Sequence, residues 1–384
     1  MKRLVIFSKE SIFAGIIECG IAEMVDSLAN SLGSNYDVNI ICPDGNGVFA
    51  RSTSGLREIE DCVRTCRFSN VNYYMIKQDM WPTKAVSIAE KLQPDILHNI
   101  AEPELLSMMS KKPEKTLLTF DNAEHVLGKE SYLTDYDEVT TTSKSYAGGL
   151  MRARNTLSGT LCNISFHGVT NGILDTVFAP EKGILLHSKY TADNQAGKRL
   201  CKKHLLQTYG IYGNPYICLM MCRLIQEKGI EDVLKAVPHI KKTGGVLIVV
   251  GKGDEKYENQ LREFRRSDGV IYVDRWASPV QAAPLTAGAD FYIQPSVMES
   301  CGLMPLTASR YGAIPIITLN GGLADSFNDD NAIVVDDNGL EDAITRAAEI
   351  YADKDALKAK RKICMEQDFS WTTRKEDYIK LYEG

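Results

Sequence analysis

Between Phe291 and Phe327 the chain reads strand, turn, helix, strand and turn, and few folds accommodate that order. Phe291-Tyr292-Ile293 is a short apolar run of strand character, Ile314 to Thr318 is a second, and a helix-like run separates them. Strands joined through a helix are parallel neighbours in one sheet, and such a sheet is covered on both faces. The turn before the helix, Ser300-Cys301-Gly302-Leu303, directly follows the carboxylate Glu299, and the pair Gly321-Gly322 closes the stretch. At a strand-to-helix turn the unbonded N–H groups and the helix dipole favour a bound phosphate. Glu299 would repel a phosphate; beside a diphosphate it is suited to accept hydrogen bonds from sugar hydroxyls. A phosphate turn with a sugar-reading acid is the pairing that a nucleotide sugar requires.

The same alternation runs through the chain. In the first half Arg3 to Ser8, Val38 to Cys42, Pro94 to His98, Thr116 to Phe120 and Glu138 to Thr142 read as strands, with Ile21 to Leu32 spaced as a helix. In the second half the strands are Tyr216 to Met221, Val246 to Val250, Val270 to Val273, Phe291 to Ile293, Ile314 to Thr318 and Ala332 to Val335. The expected fold class is α/β, with two doubly wound Rossmann-like domains facing a cleft at the carboxyl ends of their strands. The loop-forming segment GVTNGILDTVFAP sets the boundary. Residues 1–175 are expected to form one domain, 176–365 a second, and 366–384 a helix returning to the first.

A length of 384 residues suits two cores of ordinary size. The net charge of −6 argues against nucleic acid or an anionic membrane as partner, and no apolar run reaches membrane-spanning length. The ten cysteines lack zinc-site spacing, although Cys62 and Cys66 are four apart, as on one helix face. Most of them fit small buried thiols in a reducing cytoplasm, with no structural disulfide and no metal expected.

A second cluster, CRLIQEKGIEDVL, follows the strand Tyr216 to Met221 and carries Arg223 and Lys228. Five residues apart on one strand-end loop, both cations can meet a diphosphate and the charge that grows on it as it departs. Such charge-assisted hydrogen bonds contribute about 1.5–3 kcal/mol each.

The segment from Pro295 to Asp325 resembles the donor-site signature of glycogen and starch synthases, which are retaining glycosyltransferases of the GT-B fold. The match includes Pro295, Ser296, Glu299, Cys301, Gly302, Leu303, Leu306, Ala308, Arg310, Tyr311, Gly312, Pro315, Gly321, Gly322, Leu323 and Asp325. Arg223-Leu224 and Lys228-Gly229 resemble the family's RLxxQKG, with Glu227 where glutamine is usual. GVTNGILDTVFAP and KYTADNQAGKRLCKKHLL resemble its interdomain segments, and FSWTTRKEDYIKLY its closing helix.

The resemblance implies transfer of a hexose, glucose foremost, from ADP-glucose or UDP-glucose to a carbohydrate or other hydroxyl-bearing acceptor, with no metal required. It implies catalytic roles for Glu299, Arg223, Lys228 and Asp121. It implies donor contacts from Gly20, Asn122, Asn171, Ser300, Cys301, Gly302, Leu303 and Gly322.

The first domain departs from the pattern. Ile17 and Cys19 replace the lysine and first glycine of KxGGLxDVV, and only Gly20 is kept, either to approach a phosphate or to open a helix. HAHDW becomes HNIAE, leaving His98 alone, with Ala101 in the altered stretch and Glu102 one residue beyond. The family's His-Asn pair becomes Asp121-Asn122, with His125 four residues on. Lys9 lies upstream as a substitute cation. The long insertions before the HAHDW strand are nearly absent. Three functions stay open: glucan extension, glycosylation of a small molecule, protein or modified nucleobase, and weakly catalytic binding of nucleotide sugar or glucan.

Overall fold

The computed structural model describes residues 1–17, 20–47, 55–174, 179–183, 185–275 and 279–384. The chain divides into two units, Met1–Ile173 with Ser370–Gly384, and Leu174–Phe369. The departure at Cys19 and the 175/176 boundary lie outside the described residues.

The first unit is built on a nine-stranded sheet in the order β3-β4-β5-β2-β1-β6-β7-β8-β9. Its strands are β1 Arg3–Ser8, β2 Asp37–Pro43, β3 Arg57–Glu60, β4 Val63–Phe68, β5 Val71–Ile76, β6 Ile96–Ile100, β7 Lys115–Phe120, β8 Glu138–Thr141 and β9 Phe166–Gly168. From β5 to β9 every pairing is parallel, while β4 runs antiparallel to both β5 and β3. The sheet is therefore mixed and not wholly parallel as the alternation predicted. The hairpins escaped notice because Arg57–Glu60 is charged and mostly exposed. Cys62 and Cys66 share no helix: Cys62 turns the first hairpin at φ +70° and Cys66 lies in β4.

Two apolar layers cover this sheet. One gathers Leu4, Ile6, Leu28 and Ile40 with Trp371, Tyr378 and Tyr382 of the last helix, Trp371–Glu383. The other gathers Val5, Phe7, Leu97, Leu118 and Phe120. The last helix is fastened by Trp371 N–H donating to Ile173 O at 3.2 Å and by Arg374 donating to the Asn171 carbonyl.

The second unit holds a six-stranded, wholly parallel sheet, β12-β11-β10-β13-β14-β15. Its strands are β10 Tyr216–Met221, β11 Gly245–Val250, β12 Val270–Val273, β13 Phe291–Gln294, β14 Ile314–Ile317 and β15 Ile333–Val334. Strand order runs outward in both directions from the pair β10 and β13. Their carboxyl ends thus form the topological switch point, where open α/β sheets bind ligands. In the first unit the corresponding point lies between β1 and β6.

Candidate active site

Both sequence clusters of the second unit emerge at its switch point. Arg223 and Lys228 follow β10, and Glu299 follows β13. Two backbone contacts hold these two loops together, and a third ties the loop after β13 to the turn after β14. Val297 N–H donates to Glu227 O at 2.9 Å. Gly229, at φ +73°, lies so close to Pro295 that a Cβ there would sit 2.2 Å from the Pro295 carbonyl oxygen. Gly322 N–H donates to Glu299 O at 2.8 Å. Its partner Gly321, at φ +57°, would place a Cβ 2.0 Å from that same oxygen. The glycine pair therefore pins the Glu299 main chain, and the Gly322 amide is committed to this contact.

Lys228 Nζ donates to Glu299 Oε2 at 2.7 Å. The same oxygen accepts from Gln294 Nε2 at 2.8 Å and Ser296 Oγ at 3.4 Å. Glu299 is only 7% exposed, so its charge sits in a poorly solvated place and needs these donors. Among the described residues no hydrogen bond reaches its other oxygen, Oε1. The Arg223 side chain is exposed and has no ion-pair or hydrogen-bond partner among the described residues.

Gly302, at φ +86°, caps the helix Leu303–Arg310, and its carbonyl accepts from Leu306 N–H at 3.3 Å. The amides that open a helix lack intrahelical acceptors, which leaves the turn from Ser300 to Leu303 as an anion-favouring end. Cys301 and Gly302 are buried there and Ser300 is half-buried. Pro305 has no N–H to add.

In the first unit the predicted residues gather less completely. Lys9 Nζ lies 2.5 Å from Glu102 Oε1 across the β1–β6 switch point. Burial raises Glu102 above the usual carboxylate value, against the pull of Lys9. After β7, His125 Nδ1 lies 3.0 Å from Asp121 Oδ1. Asp121 holds the imidazole above its ordinary value despite partial burial, with Glu10 and Glu102 adding to the effect.

Asn122 caps a short turn, accepting from Glu124 N–H at 3.1 Å. Asn171 is buried and gives its carbonyl to Arg374. Gly20 has φ −67°, a conformation open to any residue, and opens the helix Ile21–Leu32. Ile17 is 52% exposed. His98 is fully buried between Tyr382 OH and Thr119 Oγ1, each at 2.7 Å, and burial depresses it to about 3, so it is a packing residue.

The sequence reading missed the roles of Tyr292 and Gln294. Both are buried polar side chains in an apolar strand, spaced by two so that they share a face. That spacing was visible in the chain. Among the described residues no group of three or more His, Cys, Asp or Glu is placed to hold a metal ion, and no helix is long and apolar enough to cross a membrane.

Two α/β units built on largely parallel sheets, each with a cation–carboxylate pair at its switch point, define a GT-B architecture. The solved catalytic domain of starch synthase IV from Arabidopsis thaliana, bound to ADP and acarbose, has this fold with a TM-score of 0.85 at 20% identity, over 100% of this chain and 99% of that one. Trehalose-6-phosphate synthase OtsA shares it with a TM-score of 0.70 at 11% identity, over 99% of each chain.

The family model for glycosyl transferases group 1 matches residues 202–366. The glycogen synthase of Thermodesulfovibrio yellowstonii is 30% identical over 361 residues, covering 83% of this chain and 70% of that protein. That of Geotalea daltonii is 33% identical over 311 residues, covering 74% of this chain and 64% of that protein. The chain belongs to the group 1 glycosyltransferases and is glycogen-synthase-like. It matches 64% and 54% of the lengths of the Geotalea daltonii and Geotalea uraniireducens glycogen synthases.

Proposed function

We propose that the protein is a retaining hexosyltransferase that takes glucose from ADP-glucose or UDP-glucose in the second unit. The observation that carries this reading is Glu299: a carboxylate nine-tenths buried, anchored through Oε2 by Lys228 and Gln294, with Oε1 left for a ligand. A buried acceptor oxygen of this kind suits sugar hydroxyls. Beside it, Arg223, Lys228 and the amides of the Gly302–Leu303 turn supply positive potential for a diphosphate.

In the reaction the bond between the anomeric carbon and the diphosphate oxygen breaks, and both of its electrons leave with the nucleoside diphosphate. Arg223, Lys228 and the turn amides stabilise that charge. The acceptor hydroxyl forms the new bond on the same face, and its proton passes to the departing phosphate oxygen. Glu299 holds sugar hydroxyls and counters the positive charge at the anomeric carbon. An α-linked donor gives an α-linked product.

The acceptor side supports a departure from glucan extension. Where glycogen synthases carry KxGGLxDVV, HAHDW and a His-Asn pair, this chain has an exposed Ile17, the Lys9–Glu102 pair and the Asp121–His125 pair. We read these as an altered acceptor site. Incubation with labelled ADP-glucose and UDP-glucose tests both halves. Nucleoside diphosphate release is expected with one donor, with little label entering glycogen or maltooligosaccharide. Efficient labelling of glucan would refute the altered acceptor, and absence of binding of either donor in calorimetry would refute the enzyme.

A further inference from the structure

The geometry points to Gln294 as a positioning residue that makes Glu299 a one-oxygen reader of the donor sugar; the inference rests on the donor-site reading above. Tyr292, Gln294 and Ser296 alternate along β13 and its extension, so their side chains fall on one face. All three are at most 2% exposed. The Tyr292 hydroxyl lies 2.8 Å from both the Met221 carbonyl oxygen of β10 and Gln294 Oε1. Gln294 Nε2 donates to Glu299 Oε2 at 2.8 Å and to Ser296 Oγ at 3.1 Å.

This order of atoms is the one that the charges permit. With Glu299 paired to Lys228 as a carboxylate, the reversed amide would set Gln294 Oε1 against Glu299 Oε2, two acceptors with no proton between them. The Tyr292 hydroxyl has one proton for two acceptors, the Met221 carbonyl oxygen and Gln294 Oε1, so the Glu299 end sets which way the amide points, and Tyr292 supports Oε1 with the share of its proton that Met221 leaves. Oε2 is thereby occupied by Lys228 and Gln294, with Ser296 at longer range, and the carboxylate cannot turn without breaking these bonds. Oε1 alone is presented to ligand hydroxyls. A group that touches the substrate is selective only when its own supports are fixed, and a site built to bond a hydroxyl strongly rejects the analogue that lacks it.

The test measures kcat/KM for the accepted nucleotide glucose and for its monodeoxy analogues, each sugar hydroxyl removed in turn. The wild-type protein should discriminate by about 100-fold or more against loss of the hydroxyl that Glu299 reads. Gln294→Met, which keeps the volume and removes the amide, should shrink that ratio by about 10-fold, while the ratios for the other hydroxyls stay unchanged. Tyr292→Phe, which removes the hydroxyl that supports Gln294 Oε1, should move the same ratio in the same direction and serves if Gln294→Met does not fold. A loss shared equally by all donors in both variants would make Gln294 merely structural and overturn the proposal. Unchanged ratios in folded, active variants would overturn it too. A wild-type protein that releases no nucleotide from any donor would overturn the donor-site reading itself, and this inference with it.

Discussion

At the scale of single residues, the Lys228–Glu299 pair joins activity to stability. Glu299 is buried and Lys228 largely so. Removing one partner of a buried pair leaves a charge without compensation, at a cost of about 3–5 kcal/mol. Lys228→Ala should therefore lower turnover by about 10²-fold or more and also lower the urea midpoint. Lys228→Met combined with Glu299→Gln should recover most of that midpoint without recovering turnover. Steady-state nucleotide release and equilibrium unfolding on the two variants measure the two effects separately. A Lys228→Ala protein with wild-type turnover would remove the assigned role.

At the scale of elements, the last helix is part of the first unit's core. His98 of β6 bonds Tyr382 of that helix, and Trp371, Tyr378 and Tyr382 pack with Leu4, Leu28 and Ile40. Burial depresses His98 to about 3, whereas an unfolded histidine titrates near its ordinary 6.5. The unfolded chain thus takes up a proton that the folded chain refuses. Stability contributed by this site is intact above pH 6.5 and falls as pH drops from 6.5 toward 3. Between pH 7 and 5 the loss is about 2 kcal/mol. Asp26, which burial raises to about 6, acts with the opposite sign, since the folded chain takes up its proton first. The contrast between wild type and His98→Gln isolates the histidine. Urea titrations at pH 7 and pH 5 should show the smaller drop in the variant, and equal drops would exclude His98 as a source of acid sensitivity.

At the scale of the whole molecule, the second unit gathers its charge-stabilising groups from separate segments. Arg223 and Lys228 follow β10, and the Gly302–Leu303 turn follows β13. In the proposed reaction these protein groups neutralise the departing diphosphate, so nucleotide release should persist in excess EDTA. Abolition by EDTA with restoration by magnesium or manganese would contradict this assignment.

The alternation of apolar strands and helices determined two α/β units, because a buried parallel strand must be a continuous apolar run and its crossover must be a helix. Bounds such as Tyr216–Met221 and Ile21–Leu32 follow from that pattern alone. The placement of Arg223, Lys228 and Glu299 on loops that follow apolar strands was also legible. The antiparallel edge β3–β4 was not, because β3 is charged and mostly exposed and β4 breaks its apolar pattern with Arg64, Thr65 and Arg67. Nor could the sequence say which way the polar atoms point. The resemblance implied a donor contact for Gly322, and the fold uses Gly321 and Gly322 to hold the Glu299 main chain. Gln294 lies just past the apolar run Phe291 to Ile293, and the fold sets its amide against Glu299. Such roles depend on which atoms lie within 3 Å once strands distant in sequence are paired. Periodicity fixes the face on which a residue lies, but only the tertiary structure decides its partner.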